Sequence, residues 1–114
     1  MSRTRALLLL AAESDHTFER ATVRGREYWV GRCIHCQSKV TVPLASDEPA
    51  SGTLEHIIPK HHGGTDALEN LSVACARCNQ GKGKRLDKRR RDDPTLVRVI
   101  AALQERRRAR QRPP

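Results

Sequence analysis

The chain has 114 residues, of which 37% are hydrophobic and 3% aromatic, and its 22 Lys+Arg against 13 Asp+Glu leave a formal net charge of +9. That is the length of one domain with a thin core, which calls for help from a metal, a disulfide or a partner. The positive excess points to a polyanion such as nucleic acid or an anionic membrane and argues against a small apolar ligand.

The longest apolar run, Ala6 to Ala12, covers 7 residues, far short of the ~20 that a bilayer crossing needs. It follows Arg3 and Arg5 as a secretory signal would, but no small-x-small site precedes the polar stretch from Glu13, so a short helix or strand packed on the domain is expected. Residues 1–23 read as a weakly specified N-terminal element. Arg24 to Arg32 carries the β-prone Glu27-Tyr28-Trp29-Val30 between two glycines and predicts a strand. Lys39 to Leu44 alternates polar and apolar and predicts a second strand, ended by Pro43, so that the two form a hairpin with Cys33 and Cys36 near its tip. Residues 45–52 are turn formers without an apolar period and predict a loop. Thr53 to Pro59 predicts a strand, residues 60–70 a polar connection with its sharpest turn at Gly63-Gly64, and Leu71 to Ala74 a short strand entering Cys75-Ala76-Arg77-Cys78. A basic segment runs on from Asn79 to Arg91, with Gly81 and Gly83 each costing a helix roughly 1 kcal/mol relative to Ala. Asp93 as N-cap, Pro94 at the first helical position, and Leu96, Val99, Ile100 and Leu103 at i, i+3, i+4 and i+7 predict an amphipathic C-terminal helix of about four turns. Its end, Arg106 to Arg112, loses the apolar stripe and is expected to fray.

The charge is concentrated. Residues 1 to 76 hold 8 basic and 9 acidic residues, a net of −1, and residues 77 to 114 hold 14 and 4, a net of +10. A solvated Arg-rich tail is the plain alternative to a nucleic-acid contact made by that last third.

Two Cys-x-x-Cys pairs, Cys33/Cys36 and Cys75/Cys78, are separated by 38 residues. A two-residue spacer turns both thiolates of a knuckle toward one ion, and two knuckles complete the closed tetrahedral shell of structural Zn²⁺. Two disulfides are the alternative, but they need an oxidising compartment, whereas the spacing suits a reducing, cytoplasmic one. A redox Cys-x-x-Cys would need one pair in a β-α-β pattern, which is absent. Zinc would supply stability that the core lacks, and His35, between two ligands, reads as a bystander.

Between the knuckles stand Glu55-His56-Ile57-Ile58-Pro59, Gly63-Gly64 and Glu69-Asn70-Leu71, and the second knuckle continues as Cys78-Asn79-x-x-Lys82. In this order, bracketed by cysteine pairs, the set resembles the HNH endonuclease family over residues 33 to about 85. The resemblance implies an α+β, ββα-metal domain in which a hairpin and a following helix cup one divalent ion at the scissile phosphate; the domain is expected over 24–92, followed by a C-terminal helix and basic tail over 93–114. It implies His56 as general base, Asn70 as the residue that holds the loop and orients that histidine, and Glu55 and Asn79 as ligands of the catalytic metal. Glu in place of the commoner Asp lengthens the reach of the first ligand, and Asn in place of His at the last position favours hard Mg²⁺ or Mn²⁺.

The residue types suit phosphodiester hydrolysis on their own. A base near neutral pKa is needed, and unperturbed His at about 6.5 fits. A cation on oxygen ligands neutralises charge on the phosphoryl and leaving oxygens. Neighbouring strand residues point to opposite faces, so convergence of Glu55 and His56 on one phosphate requires a twist or bulge, which is expected there. Lys82, Lys84, Arg85, Lys88, Arg89, Arg90 and Arg91 are the candidate contacts to DNA, and His61 and His62 are either phosphate contacts or solvated loop. The leading expectation is thus a DNA endonuclease leaving 5′-phosphate and 3′-hydroxyl ends, as the family does. A non-catalytic zinc-ribbon module that binds nucleic acid is the alternative, and a nuclease whose target is selected by a protein partner is a third. No membrane partner is expected.

Overall fold

The apolar N-terminal run is built from Leu and Ala, strong helix formers with no β-branched residue after Thr4, and it is a helix. In the computed structural model, which describes residues 1–45 and 48–113, this α1 spans Arg3–Ser14 and is capped by the Ser2 hydroxyl, which accepts the N–H of Arg5 at 3.1 Å. Ser46 and Asp47 of the loop expected over 45–52, and Pro114, lie outside the described residues. Three strands follow, β1 (Glu19–Val23), β2 (Arg26–Arg32) and β3 (Lys39–Pro43), antiparallel in the order β1-β2-β3. The β2–β3 hairpin is the expected one, with Trp29 opposite Val42 and the first cysteine pair at its tip. The first strand, β1, has no counterpart among the sequence expectations; it lies outside the core, with Ala21 half-buried and its other four residues exposed.

A second sheet pairs β4 (Gly52–His56) with β5 (Leu71–Cys75), and β5 runs directly into α2 (Ala76–Arg85). Two short 3-10 turns, Lys60–His62 and Leu68–Asn70, shape the connection between the strands. This β4–β5–α2 unit is the expected ββα arrangement. The α1 helix packs on β4 and β5, burying Leu8, Ala11 and Ala12. Among the described residues no helix is long and apolar enough to cross a membrane.

The C-terminal helix α3 (Pro94–Arg110) starts as its sequence predicts, with one Asp93 carboxylate oxygen accepting the N–H groups of Thr95 and Leu96 at 3.0 and 3.1 Å. Leu96, Ile100 and Leu103 join the core with Phe18, Ile34, Val42, Leu71 and Val73. At ~1.5–3 kcal/mol per buried side chain, those three alone are comparable with the whole net stability of a small domain, about 5 kcal/mol.

The expected fraying does not occur, because the arginines at the end of α3 bind carbonyl groups that the rest of the fold leaves open. Arg107, 1% exposed, donates to the Leu71 carbonyl at 2.7 Å and the Ser14 hydroxyl at 2.5 Å. Arg106 reaches the Ile34 carbonyl at 2.7 Å, and Arg110 the Arg32 carbonyl at 2.9 Å with its charge 3.6 Å from Asp15. Arg112 donates to the carbonyls of Glu13 and Phe18. A hydrogen bond from a charged group contributes ~1.5–3 kcal/mol, and leaving its partner buried and unpaired costs as much again. Arg107→Ala is accordingly expected to lower stability by ~2–4 kcal/mol in urea unfolding, whereas Arg108→Ala, at an exposed position, should stay within ~0.5 kcal/mol.

Candidate functional site: a sulfur cluster beside a two-faced strand

The second strand pair and α2 bring the two cysteine knuckles together. The Sγ atoms of Cys33, Cys36, Cys75 and Cys78 lie within 4.8 Å of one another, all four as free thiols, with Cys36 and Cys75 at 3.9 Å. Sulfurs at the corners of a tetrahedron around Zn²⁺, at 2.3 Å each, stand about 3.8 Å apart, so the donor set fits that ion. Backbone amides already point at the sulfurs: His35 and Cys75 donate to Cys33 Sγ at 3.4 and 3.3 Å, and Cys78 donates to Cys75 Sγ at 3.5 Å, making a candidate metal-ligating sulfur the N-cap of α2. The Ser38 hydroxyl and then its N–H lower the Cys36 thiol to about 6, whereas burial, followed by the hydrogen bond of its S–H to Cys75, pushes Cys78 up to about 12. The four thiols thus differ in their surroundings, and a divalent cation at the centre would favour all four as thiolates.

The strand leading away from this cluster is regular through its last residue, with Glu55 opposite Ser72 and His56 opposite Leu71. The bulge expected at Glu55-His56 is absent, because an unbroken ladder satisfies the backbone there. Strand alternation therefore sends the two side chains to opposite faces. Glu55 is 1% exposed and turned toward the first knuckle, where His35 Nε2 lies 2.5 Å from its Oε1. His35, expected as a bystander, is thus the partner of Glu55. The other carboxylate oxygen, Oε2, and the hydroxyl of the facing Ser72 are buried with no hydrogen-bond partner among the described residues.

His56, on the opposite face, has a partner that the sequence did not reveal. Its Nε2 is 2.8 Å from Oδ1 of Asp66, whose carboxylate also receives Arg3 at 2.8 Å and Lys60 at 3.2 Å. A carboxylate only accepts, so Nε2 carries a proton, which in the neutral imidazole leaves the lone pair on Nδ1. His56, then Arg3 and Lys60, hold the Asp66 carboxyl well below the usual carboxylate range. Asn70 fixes both ends of the intervening loop. Its Oδ1 accepts the Ile58 N–H at 2.8 Å, and its Nδ2 donates to the carbonyls of Ile58 and Thr65, at 3.1 and 2.9 Å. Gly63, at φ 90°, and Gly64, where any Cβ would strike the Ile58 carbonyl, let the chain fold back tightly enough for this clamp.

On α2, the Asn79 amide donates both its hydrogens, to the Thr53 hydroxyl at 3.0 Å and the Leu54 carbonyl at 2.9 Å, which leaves its Oδ1 available to a cation. Lys82, expected at the nucleic-acid surface, is instead 3% exposed and paired with Asp87 at 2.9 Å, with a further bond to the His56 carbonyl at 3.3 Å. Asp87 supplies an internal anion on the turn after α2, so this lysine fixes that turn to β4. His61 and His62 both use Nε2 on the Asp87 carbonyl, at 2.8 and 2.9 Å, and pin the loop to the same turn. Lys84, Arg85, Lys88, Arg89, Arg90 and Arg91 are exposed. Arg89 and Arg90 pair with Asp93 and Asp92, which leaves Lys84, Arg85, Lys88 and Arg91 as the cations without an ion pair among the described residues of this segment.

A family model described as HNH endonuclease matches residues 33–95. No curated protein and no solved structure matches the chain.

A carboxyl whose folded pKa is depressed contributes stability above its unfolded value and loses it as the pH falls toward the folded one. The stability difference between wild type and Asp66→Asn, followed by urea unfolding, is expected to be full above about pH 5 and to shrink steadily as the pH is lowered toward about 2. A difference that grows on acidification would contradict the role given to Asp66.

Proposed function

The chain belongs to the HNH endonuclease family, and from that premise we propose that it is a metal-dependent endonuclease that hydrolyses DNA phosphodiester bonds with His56 as general base. The observation that carries this reading is the imidazole at the end of β4, held through Nε2 by Asp66 at 2.8 Å while its Nδ1 meets no hydrogen-bond donor among the described residues. Nδ1 takes the proton of the attacking water, and the Asp66 carboxylate stabilises the imidazolium that forms. Asn70 acts through position, fixing the chain two residues after His56 and the residue before Asp66.

Glu55 Oε2 and Asn79 Oδ1 are the oxygens offered to a catalytic cation, and a buried carboxylate oxygen without a donor fits one. Mg²⁺ or Mn²⁺ held there supplies neutralisation of the phosphoryl and leaving 3′ oxygens. Because Glu55 and His56 leave β4 from opposite faces, the phosphate comes over the end of the strand, where the chain turns at Ile57 to Pro59. Zn²⁺ occupies the four-sulfur site as a structural ion. Lys84, Arg85, Lys88 and Arg91, with Arg89 and Arg90 beside them, track the DNA backbone; Lys82 holds the fold.

Purified protein with plasmid and Mg²⁺ or Mn²⁺ is expected to nick or linearise it, and His56→Ala to lower the rate by at least ~10²-fold. If neither protein nicks or linearises DNA, the chain is a nucleic-acid-binding module without turnover; if both cut equally, His56 is not the base. The contribution of the basic segment is read from salt dependence. Replacing Lys84, Arg85, Lys88 and Arg91 together by Gln should flatten the plot of log affinity against log salt by about one unit for each phosphate that is no longer neutralised. Truncating the chain after Lys84 is uninformative, since it also removes α3, which carries part of the core.

A further inference from the structure

We propose that His35 is a positioning residue for the metal-binding carboxylate: its Nε2–H holds Oε1 of Glu55 and so presents Oε2 to the catalytic cation. The inference rests on the reading of Glu55 as a ligand of that cation. His35 Nε2 and Glu55 Oε1 are 2.5 Å apart, and the carboxylate is only 1% exposed. An ionised carboxylate taken out of water costs several kcal/mol unless both oxygens are satisfied. One is satisfied by His35 and the other has no partner, while the facing Ser72 hydroxyl, also buried, has none either. The open oxygen is therefore the one available to a positive ion.

The donor itself is held firmly. His35 sits between Cys33 and Cys36; its own N–H points at Cys33 Sγ, and the carbonyl of Ile34 before it is bound by Arg106 at 2.7 Å. With Glu55 ionised, as a cation ligand must be, the carboxylate only accepts and His35 Nε2 is the donor of this pair. Carboxylate ligands of metals are commonly oriented by such a second hydrogen bond, whose loss costs about 10–100-fold in metal affinity. The first cysteine knuckle thus carries, between its two ligands, the group that aims a ligand of a different ion.

The test uses the full chain with its zinc in place and Mn²⁺ alone as probe, the free ion being followed by its electron paramagnetic resonance signal. His35→Phe keeps a ring and removes the donor; His35→Gln keeps an N–H that reaches the same oxygen; Glu55→Gln weakens the ligand itself. Expected are Mn²⁺ binding at least ~10-fold weaker in His35→Phe, recovery to within ~3-fold of wild type in His35→Gln, and a loss in Glu55→Gln at least as large as that in His35→Phe. Zinc content, measured on every variant, should stay at the wild-type ratio. Wild-type affinity in His35→Phe overturns the inference, as does a zinc-loaded His35→Gln that binds no better than His35→Phe. If His35→Phe loses its zinc, His35→Gln decides alone: a zinc-loaded protein more than ~10-fold weaker than wild type overturns the inference. Wild-type affinity in Glu55→Gln instead removes Glu55 from the metal site, a separate failure recognisable without the His35 variants.

Discussion

Four sulfur atoms within 4.8 Å of one another join the tip of the β2–β3 hairpin to the junction of β5 and α2, and every other part of the fold is placed relative to that junction. With one Phe, one Trp and one Tyr in the chain, apolar burial alone is a weak organiser. The cluster fixes where β5 ends and where α2 begins, since Cys75 is at once a strand residue, the N-cap of the helix and a candidate ligand. Ile34, carried by the first knuckle, donates its N–H to the Val73 carbonyl at 3.0 Å and so seats the hairpin on the second sheet. A metal ion held at this point would do what a larger core does in a less polar domain.

From that junction β4 serves two environments at once. On the cluster side its Glu55 is dry and faces a knuckle histidine; on the other side its His56 is partly exposed and faces a loop carboxylate with two cations around it. Adjacent residues thus acquire different surroundings from the pleat alone, without strain in the backbone. The loop that supplies Asp66 has no regular structure beyond two short turns, and its shape is set by Asn70 at one end and the two histidines on the Asp87 carbonyl at the other.

What the sequence made legible was whatever its periodicity or spacing encodes directly. The alternation of Lys39 to Pro43, the proline at the start of α3 with its i, i+3, i+4, i+7 apolar positions, and the two cysteine spacers all correspond to elements or groupings in the structure. The resemblance carried by Glu55-His56, Asn70 and Asn79 gave the family and the ββα order. Other features left no such trace. The β1 strand lies outside the core, with only Ala21 half-buried, and its alternation of Ala21 and Val23 is too short to stand out. Asp66 follows Thr65 in a polar loop and looks like a turn residue until the chain folds back onto His56. The arginines at the end of α3 look like solvated charge, because burial of a guanidinium depends on carbonyls from distant segments, Leu71, Ile34 and Arg32, that no local pattern announces. The same blindness assigned Lys82 to the surface, when an aspartate five residues later draws it inward.

The arginine clasp also bears on the order of synthesis. Domains begin to fold from the N-terminal side while the ribosome is still adding residues, and the residues with catalytic character, 55 to 79, emerge well before Arg106, Arg107 and Arg110. Until those three arrive, the Ile34 and Leu71 carbonyls lack their donors, and the knuckle and the strand end beside His56 are held only by contacts within residues 1–105. An unfinished chain thus carries every residue of the candidate site on a scaffold that is not yet closed, and the site reaches its final support with the last turns of α3.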